Sequence, residues 1–149
     1  MVTELEVMHL PTVVRQVLTG RLAQRVAHEA GTGTGDYLLL HRMPRAAQRL
    51  LRLMSRPIAS RLIVAAILGH SWTLEGSGCL RATVGPPPVF ILERCPLCRS
   101  VQSADPRWTY YAATVARLFQ ELVEPTATAI DTDCAAVSGG SCRFELRWV

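Results

Sequence analysis

The chain contains no lysine, and its 16 residues of the lysine or arginine type are all arginine. Aromatic residues are scarce, at 6% of the total. The longest aliphatic run, Leu62 to Leu68, ends at Gly69, far short of the roughly 20 apolar residues that a spanning helix requires. The N-terminal residues include Glu4 and Glu6 and lack the basic segment of a secretory signal. These absences argue against integral membrane contact and predict a cytoplasmic chain with reduced cysteines.

The composition is that of a folded domain, with 49% apolar and 19% charged residues among 149. A chain of this length can bury one substantial core. We find no dinucleotide-binding, phosphate-loop, zinc-protease or nucleophile-elbow motif. No zinc-finger or helix-turn-helix pattern is present either, so we expect no nucleic-acid partner.

Helical periodicity dominates the first half, over about residues 12–69. Apolar spacing predicts a first helix over about 12–30. Gly31, Gly33 and Gly35 then interrupt the pattern. We interpret them as a helix stop with a flexible joint in preference to a phosphate-binding loop, because they follow a helix and not a strand.

Three further helices are predicted in this half, over 37–43, 44–54 and from Pro57 onward, with proline at the first turn of the last two. Their periodicity also predicts which side chains are buried. The predicted buried residues of the last two helices are Ala47, Leu50, Leu51, Met54, Ile58, Leu62, Ile63, Ala66 and Ile67.

The second half, over about residues 70–149, carries strand signals. Two strand-like runs at 71–75 and 79–84 are joined by glycine-rich residues that predict a hairpin. The continuous apolar run at 89–92 predicts a strand buried on both faces. The chain from Arg94 to Asp105 is predicted as loop.

One helix separates these strands from a terminal hairpin. A capping carboxylate at Asp105 precedes proline and predicts the helix start, and Pro125 predicts its end. Apolar and polar side chains alternate over 141–148, which predicts a half-buried strand folded back on 126–136. Helices followed by a mostly antiparallel sheet with one inserted helix indicate an α+β fold, in a single domain over residues 1–149.

Four of the five cysteines occur as two pairs. Two residues separate Cys95 from Cys98, and seven separate Cys134 from Cys142 across the predicted hairpin turn. Thiolates that converge from two such pairs can hold zinc tetrahedrally, and Asp131 could add an oxygen ligand. The same cysteines could instead be small buried apolar side chains, and the sequence leaves both interpretations open.

Arginine recurs along the third predicted helix, at Arg45, Arg49, Arg52 and Arg56. Steps of three and four residues place these side chains in one stripe. The surrounding chain from 37 to 74 has six arginines and no acidic residue. The stripe could pair with ligand carboxylates or an acidic partner, or it could be an ordinary solvated helix face.

Two stretches resemble a known family, DYLLLHRMPR at 36–45 and HSWTLEGSG at 70–78. The segment PLCR at 96–99 and the ending Cys-x7-Cys-Arg-Phe-Glu at 134–145 extend the similarity. Together they are similar to the 4-vinyl-reductase domain family of bacteriochlorophyll biosynthesis, over about residues 12–148. The resemblance implies a twisted antiparallel sheet packed on helices, as in vesicle-tethering subunits, with a tendency to form homodimers.

The family resemblance also implies a function. We expect a protein that binds a magnesium tetrapyrrole intermediate and holds or delivers it between pathway enzymes, of the magnesium chelatase or methyltransferase type. One alternative is the vinyl reductase itself, although no hydride-cofactor motif is present. Another is a small-molecule sensor module that acts through a partner. The expected location is the cytoplasm, at the periphery of the photosynthetic membrane.

The implied ligand pocket lies between the helical half and the sheet. Its predicted residues are Tyr37, His41, His70, Trp72, Phe90 and Tyr111, with Arg45, Arg49 and Arg52 pairing with ligand propionates. The resemblance further implies a structural zinc site. Trp108 stands where relatives carry one cysteine ligand, so Cys98 or Cys95 would have to replace it. The expected zinc ligands are Cys98, Asp131, Cys134 and Cys142.

Overall fold

The structure is a computed structural model that describes residues 13–14, 17–18, 20–71, 78–98 and 109–149. Its elements confirm the predicted α+β order of helices, strands, one inserted helix and a terminal hairpin. In chain order they are α1 (Gly20–His41), α2 (Arg45–Leu53), α3 (Arg56–Gly69), β1 (Cys79–Thr83), β2 (Val89–Glu93), α4 (Tyr110–Leu122), β3 (Thr128–Asp133), α5 (Ala135–Ser138) and β4 (Ser141–Arg147).

The four strands form one antiparallel sheet in the order β1-β2-β4-β3. The predicted alternation in β4 is confirmed, because Phe144 and Leu146 are buried while Arg143 and Arg147 are exposed. β2 differs from its prediction, since only alternate residues such as Phe90 are buried. One face of the sheet is covered by helices and the other is more open, so the apolar run in β2 does not signal burial on both faces.

The inserted helix α4 lies between α1 on one side and strands β3 and β4 on the other. Its residues are therefore buried nearly all round, from Ala112 to Leu122. The rings of Phe119 and Trp148 stack with centroids 6.1 Å apart, which joins the helix to the end of the sheet. The end predicted before Pro125 is confirmed, since α4 stops at Leu122.

The predicted helix stop at the glycines is wrong, because α1 continues through all three of them. Gly31 and Gly35 are buried against α4. A Cβ at Gly31 would collide with the Tyr110 carbonyl oxygen, and one at Gly35 would lie 2.7 Å from Arg117 Cβ. The glycines therefore permit close helix packing, and the predicted boundary between the first two helices does not exist.

Threonine hydroxyls in this region bond to backbone carbonyls of α1. Thr32 Oγ1 donates to the His28 carbonyl at 3.0 Å, and Thr34 Oγ1 donates to the Ala30 carbonyl at 2.9 Å. These bonds satisfy the hydroxyl groups without strengthening the helix. Thr114 Oγ1 on α4 donates to the Gly31 carbonyl at 3.0 Å and so joins the two helices.

The predicted buried face is partly wrong in α2 and α3. Leu50 is 56% exposed, Ile58 53% and Leu62 45%, although all three were expected in the core. The face that α3 buries includes Ala59, Ile63, Val64 and Ile67. α3 is apolar on several faces, so its periodicity does not indicate which face is buried. Packing against β1 and α4 determines the buried face.

Several predicted features lie outside the described residues. They are the strand and turn over 72–77, the loop beyond Cys98 and the helix start at Asp105. Across the part of the chain that is described, no helix has the length and hydropathy needed to cross a bilayer.

Candidate functional site

Four cysteine side chains converge at one end of the sheet. Cys98 Sγ lies 3.7 Å from Cys134 Sγ and 3.5 Å from Cys142 Sγ. The Sγ atoms of Cys95, Cys98 and Cys142 all lie within 4.8 Å of one another. These separations exceed the roughly 2.05 Å of a disulfide bond, and all four residues are free thiols. The expected approach of Cys98 to both hairpin cysteines is therefore present.

Two separate turns carry the four thiols. The first follows β2, where the Cys98 backbone N–H donates to the Cys95 carbonyl at 3.1 Å. Arg94 precedes this turn with a φ of 53°, a left-handed conformation that is uncommon for a residue with a Cβ. The second turn joins β3 to β4, with Cys134 at the start of α5 and Cys142 in β4.

One backbone N–H group of the second turn points at a sulfur atom of the cluster. Ala135 at the start of α5 donates to Cys142 Sγ at 3.4 Å. A hydrogen bond of this kind stabilises negative charge on the sulfur atom that accepts it.

The thiols shift one another's pKa values strongly. Hydrogen bonds with Cys134, Cys95 and Cys98 lower the pKa of Cys142, in spite of burial. The hydrogen bond with Cys142, together with burial, raises the pKa of Cys95 to about 12. Hydrogen bonds to Cys134 and Cys142 raise the pKa of Cys98. Cys142 is therefore the thiol of this group whose pKa is lowered, while the pKa values of Cys95, Cys98 and Cys134 are raised.

A small apolar shell surrounds the cysteine cluster. Leu92, Leu97 and Ala136 are buried beside it, and Tyr111 packs against it from α4. Burial, followed by the nearby Cys95, raises the pKa of Tyr111. Cys95, Cys98 and Cys134 are buried, with Cys95 1% and Cys98 3% exposed, whereas Cys142 is partly exposed.

The other two positions considered for the expected zinc site are Asp131 and Trp108. Asp131 pairs with Phe144 in the sheet register. The ligand atoms that all lie within 4.8 Å of one another are those of Cys95, Cys98 and Cys142, a group that includes neither Asp131 nor Cys134. Trp108 lies outside the described residues. The structure therefore brings together Cys98, Cys134 and Cys142 from the predicted set, and adds Cys95. The CxxC spacing was the sequence signal for that fourth cysteine.

The predicted ligand residues do not form one enclosed site. Phe90 is 0% exposed in the main core and stacks on Phe144 with centroids 5.2 Å apart. Tyr111 is half-buried between the two apolar clusters. His70 is exposed at the end of α3, where its Nδ1 lies 3.0 Å from the Ala66 carbonyl oxygen. Trp72 lies outside the described residues.

Tyr37 and His41 instead meet on the surface, near the end of α1. Their rings lie 4.7 Å apart, Tyr37 is 51% exposed and the neighbouring Leu40 is 74% exposed. Gln48 of α2 donates through Nε2 to the Leu39 carbonyl at 2.6 Å and to the Met43 carbonyl at 3.0 Å. This pairing fixes the start of α2 beside the end of α1.

The predicted arginine stripe divides into two parts. Arg52 donates to the Glu121 carboxylate at 3.0 Å, and Arg56 donates to the Glu124 carboxylate at 2.7 Å, so both hold the α2–α3 region against α4. Arg45 and Arg49 are exposed on α2. This second pair lies on the same helix as Gln48, whose side chain joins α2 to the end of α1.

The fold and the cluster together define a small α+β domain with a buried group of four cysteines. No family model matches the chain. It is 41% identical over 124 residues to the Bacteriochlorophyll synthase 23 kDa chain of Cereibacter sphaeroides, covering 83% of this chain and 60% of that protein. It is 38% identical over 127 residues to the protein of the same name from Rhodobacter capsulatus, covering 85% and 59% respectively.

This similarity to the 23 kDa chain, known as BchJ, confirms the resemblance found in the sequence motifs. The chain spans about three fifths of the length of these curated relatives. The name of the 4-vinyl-reductase fold, which the motifs also suggested, stays a prediction.

Proposed function

We propose that the protein acts in bacteriochlorophyll biosynthesis by binding a magnesium tetrapyrrole intermediate and delivering it between pathway enzymes. The observation that carries the biosynthetic role is the similarity to two proteins named Bacteriochlorophyll synthase 23 kDa chain. The binding role draws its support from the surface that Tyr37 and His41 form.

That surface combines the groups a magnesium tetrapyrrole needs. The exposed His41 imidazole can serve as an axial ligand to the central metal ion. Tyr37 and Leu40 offer flat and apolar surface for the macrocycle. Arg45 and Arg49 carry guanidinium groups that can pair with propionate side chains. The macrocycle would lie across the junction of α1 and α2.

A titration with magnesium protoporphyrin tests the proposed site. We expect a shift of the porphyrin absorption and quenching of tryptophan emission at micromolar concentrations. His41→Gln should weaken binding about tenfold, equivalent to about 1.4 kcal/mol. His28→Gln is the matched control, because His28 is also exposed on α1. A flat titration with the unaltered protein up to tens of micromolar, or equal losses in the two variants, would contradict the proposal.

Arg45 and Arg49 provide a second test of the same surface. The double change to glutamine should weaken porphyrin binding and remove its dependence on salt, because screening acts on exposed charge pairs. The melting temperature should hardly change, since both side chains are exposed. Arg52→Gln is the comparison variant, because its guanidinium is already paired with Glu121.

The alternative of a vinyl reductase makes a separate prediction. Purified protein would then reduce divinyl chlorophyllide with reduced nicotinamide and no added reductase. We expect no turnover, and turnover would overturn the carrier role. Delivery implies a partner enzyme of the chelatase or methyltransferase type. Faster transfer of bound porphyrin to such an enzyme than from free solution would distinguish a carrier from a sensor module, and light scattering would test the proposed homodimer.

A further inference from the structure

We propose that the outer faces of α2 and α3 bind the surface of an anionic lipid bilayer. This binding does not rest on the tetrapyrrole role, although Arg45 and Arg49 belong to both surfaces. The protein would lie on the bilayer without crossing it. Its aliphatic side chains would enter the interfacial region, and its guanidinium groups would lie at the level of the lipid phosphates.

The outer side of α2 exposes aliphatic side chains to solvent. Leu50 is 56% and Leu53 85% exposed, whereas Leu51 is buried in the larger core. Ala46 is exposed as well, so these apolar residues follow steps of four and three along one face of the helix. Exposed leucine surface is unfavourable in water, and a contiguous apolar surface of this kind marks an interaction site.

α3 follows after a connection of two residues and is also apolar on its outer side. Ile58 is 53% and Leu62 45% exposed, and Ala65 is exposed on the same face. The opposite face buries Ile63 in the core that also receives Leu51, so both exposed faces point away from that core. A helix that is apolar all round normally has partners all round. α3 therefore presents an apolar side that a further binding partner can cover.

Arginine side chains accompany this apolar surface. Between residues 37 and 74, the exposed arginines that form no ion pair with any residue in the described part of the chain are Arg42, Arg45, Arg49 and Arg61. The same stretch contains no aspartate or glutamate. The surface therefore complements a negatively charged partner. Arginine can also cover apolar surface with its stem while its charge reaches the lipid phosphates.

The chemistry of this surface fits a bilayer better than a protein. Its exposed apolar residues are leucine, isoleucine and alanine, whereas tryptophan, tyrosine and arginine dominate binding at protein interfaces and leucine is under-represented there. Aliphatic side chains that protrude from a helix, such as Leu53, gain free energy by entering the boundary of the acyl chains. A second copy of the chain is a poor occupant, because a two-fold contact through this surface would bring the arginines of both copies together.

Sedimentation of the full chain with lipid vesicles, with no tetrapyrrole present, tests the proposal. We expect binding to phosphatidylcholine vesicles that contain about one third phosphatidylglycerol, at least about tenfold weaker binding to phosphatidylcholine alone, and release at high salt. No binding to the anionic vesicles, or equal binding to both compositions, would overturn the proposal. So would binding to polyglutamate without binding to the anionic vesicles, which would indicate an acidic protein partner.

A pair of leucine substitutions tests the apolar part of the surface. The double variant Leu50→Gln and Leu53→Gln should bind the anionic vesicles about tenfold more weakly, because two side chains no longer enter the bilayer. Ile130→Gln combined with Val137→Gln is the matched control, since these side chains are 41% and 52% exposed on β3 and α5. The control should keep full binding, and the melting temperatures of both variants should match that of the unaltered protein. Equal losses of vesicle binding in the two double variants would contradict the proposal.

Substitution of one arginine tests the charged part. Arg61→Gln should weaken binding to anionic vesicles about fivefold, the contribution of one arginine near such a surface. Arg143→Gln should have little effect, because Arg143 is exposed on β4, and an equal loss in the two variants would count against the proposed surface. The leucine double variant should leave the porphyrin titration unchanged. Vesicle binding by a protein that takes up no porphyrin would support this proposal, whereas porphyrin uptake without vesicle binding would overturn it alone.

Discussion

The two buried clusters of this protein differ in the side chains that compose them. The larger one, between the helices and the sheet, contains Phe90, Phe119, Phe144 and many aliphatic residues. The smaller one has six buried residues, three of which are cysteines. Aromatic and aliphatic side chains stabilise a fold by their own burial. The smaller cluster has few of them, so burial of apolar side chains contributes less to its stability.

The largest expected effect tests the larger cluster. Phe90→Ala should lower the free energy of unfolding by about 3–5 kcal/mol, because it empties a fully buried position stacked on Phe144. Denaturant unfolding measures the loss. Tyr37→Ala, at a position 51% exposed, should change stability by less than about 0.5 kcal/mol. A loss below about 1 kcal/mol for Phe90→Ala would contradict the view that burial of aromatic and aliphatic side chains stabilises the larger cluster.

A smaller effect is expected where α1 meets α4. Gly31→Ala should destabilise the protein by about 1–3 kcal/mol, because the added Cβ would collide with the Tyr110 carbonyl oxygen. Gly33→Ala is the matched control, since nothing lies within 4 Å of a Cβ there. It should be neutral or stabilising by up to about 1 kcal/mol. Equal thermal shifts in the two variants would show that the helices do not pack as closely as described.

The smallest effect concerns an ion pair at the edge of the larger cluster. Glu124 is buried, and its carboxylate accepts from Arg56 at 2.7 Å and from the Thr126 hydroxyl at 3.1 Å. Glu124→Gln should cost about 1–2 kcal/mol, because an amide replaces one acceptor oxygen with a donor. Glu121→Gln should cost less than about 1 kcal/mol, since its pairs are more exposed.

All three results should be the same before and after chelation if the clusters act independently. Unfolding curves recorded with and without chelator would measure this. Strong coupling, in which chelation abolishes the cost of Glu124→Gln or Gly31→Ala, would mean that the cysteine cluster and the larger cluster form one cooperative unit.

Sequence periodicity predicted the α+β order, the inserted helix and the terminal hairpin. These features depend on alternation and on proline or glycine at element ends, which are local properties. The same local rules wrongly predicted a helix end at the glycines of α1. Ala23, Ala27, Gly31 and Gly35 recur every four residues and are all buried, a small-residue stripe that signals close helix contact once the partner α4 is known.

The candidate sites show the same difference between local sequence properties and contacts between distant segments. The sequence alone determined that four cysteines lie in two pairs, and that six arginines occur without an acidic residue between 37 and 74. Only the tertiary structure decided that Cys95 joins Cys98 and Cys142 and that Arg52 is bound to Glu121. Spacing along a chain fixes which side chains share a turn or a face, whereas contacts between distant segments depend on how whole elements pack.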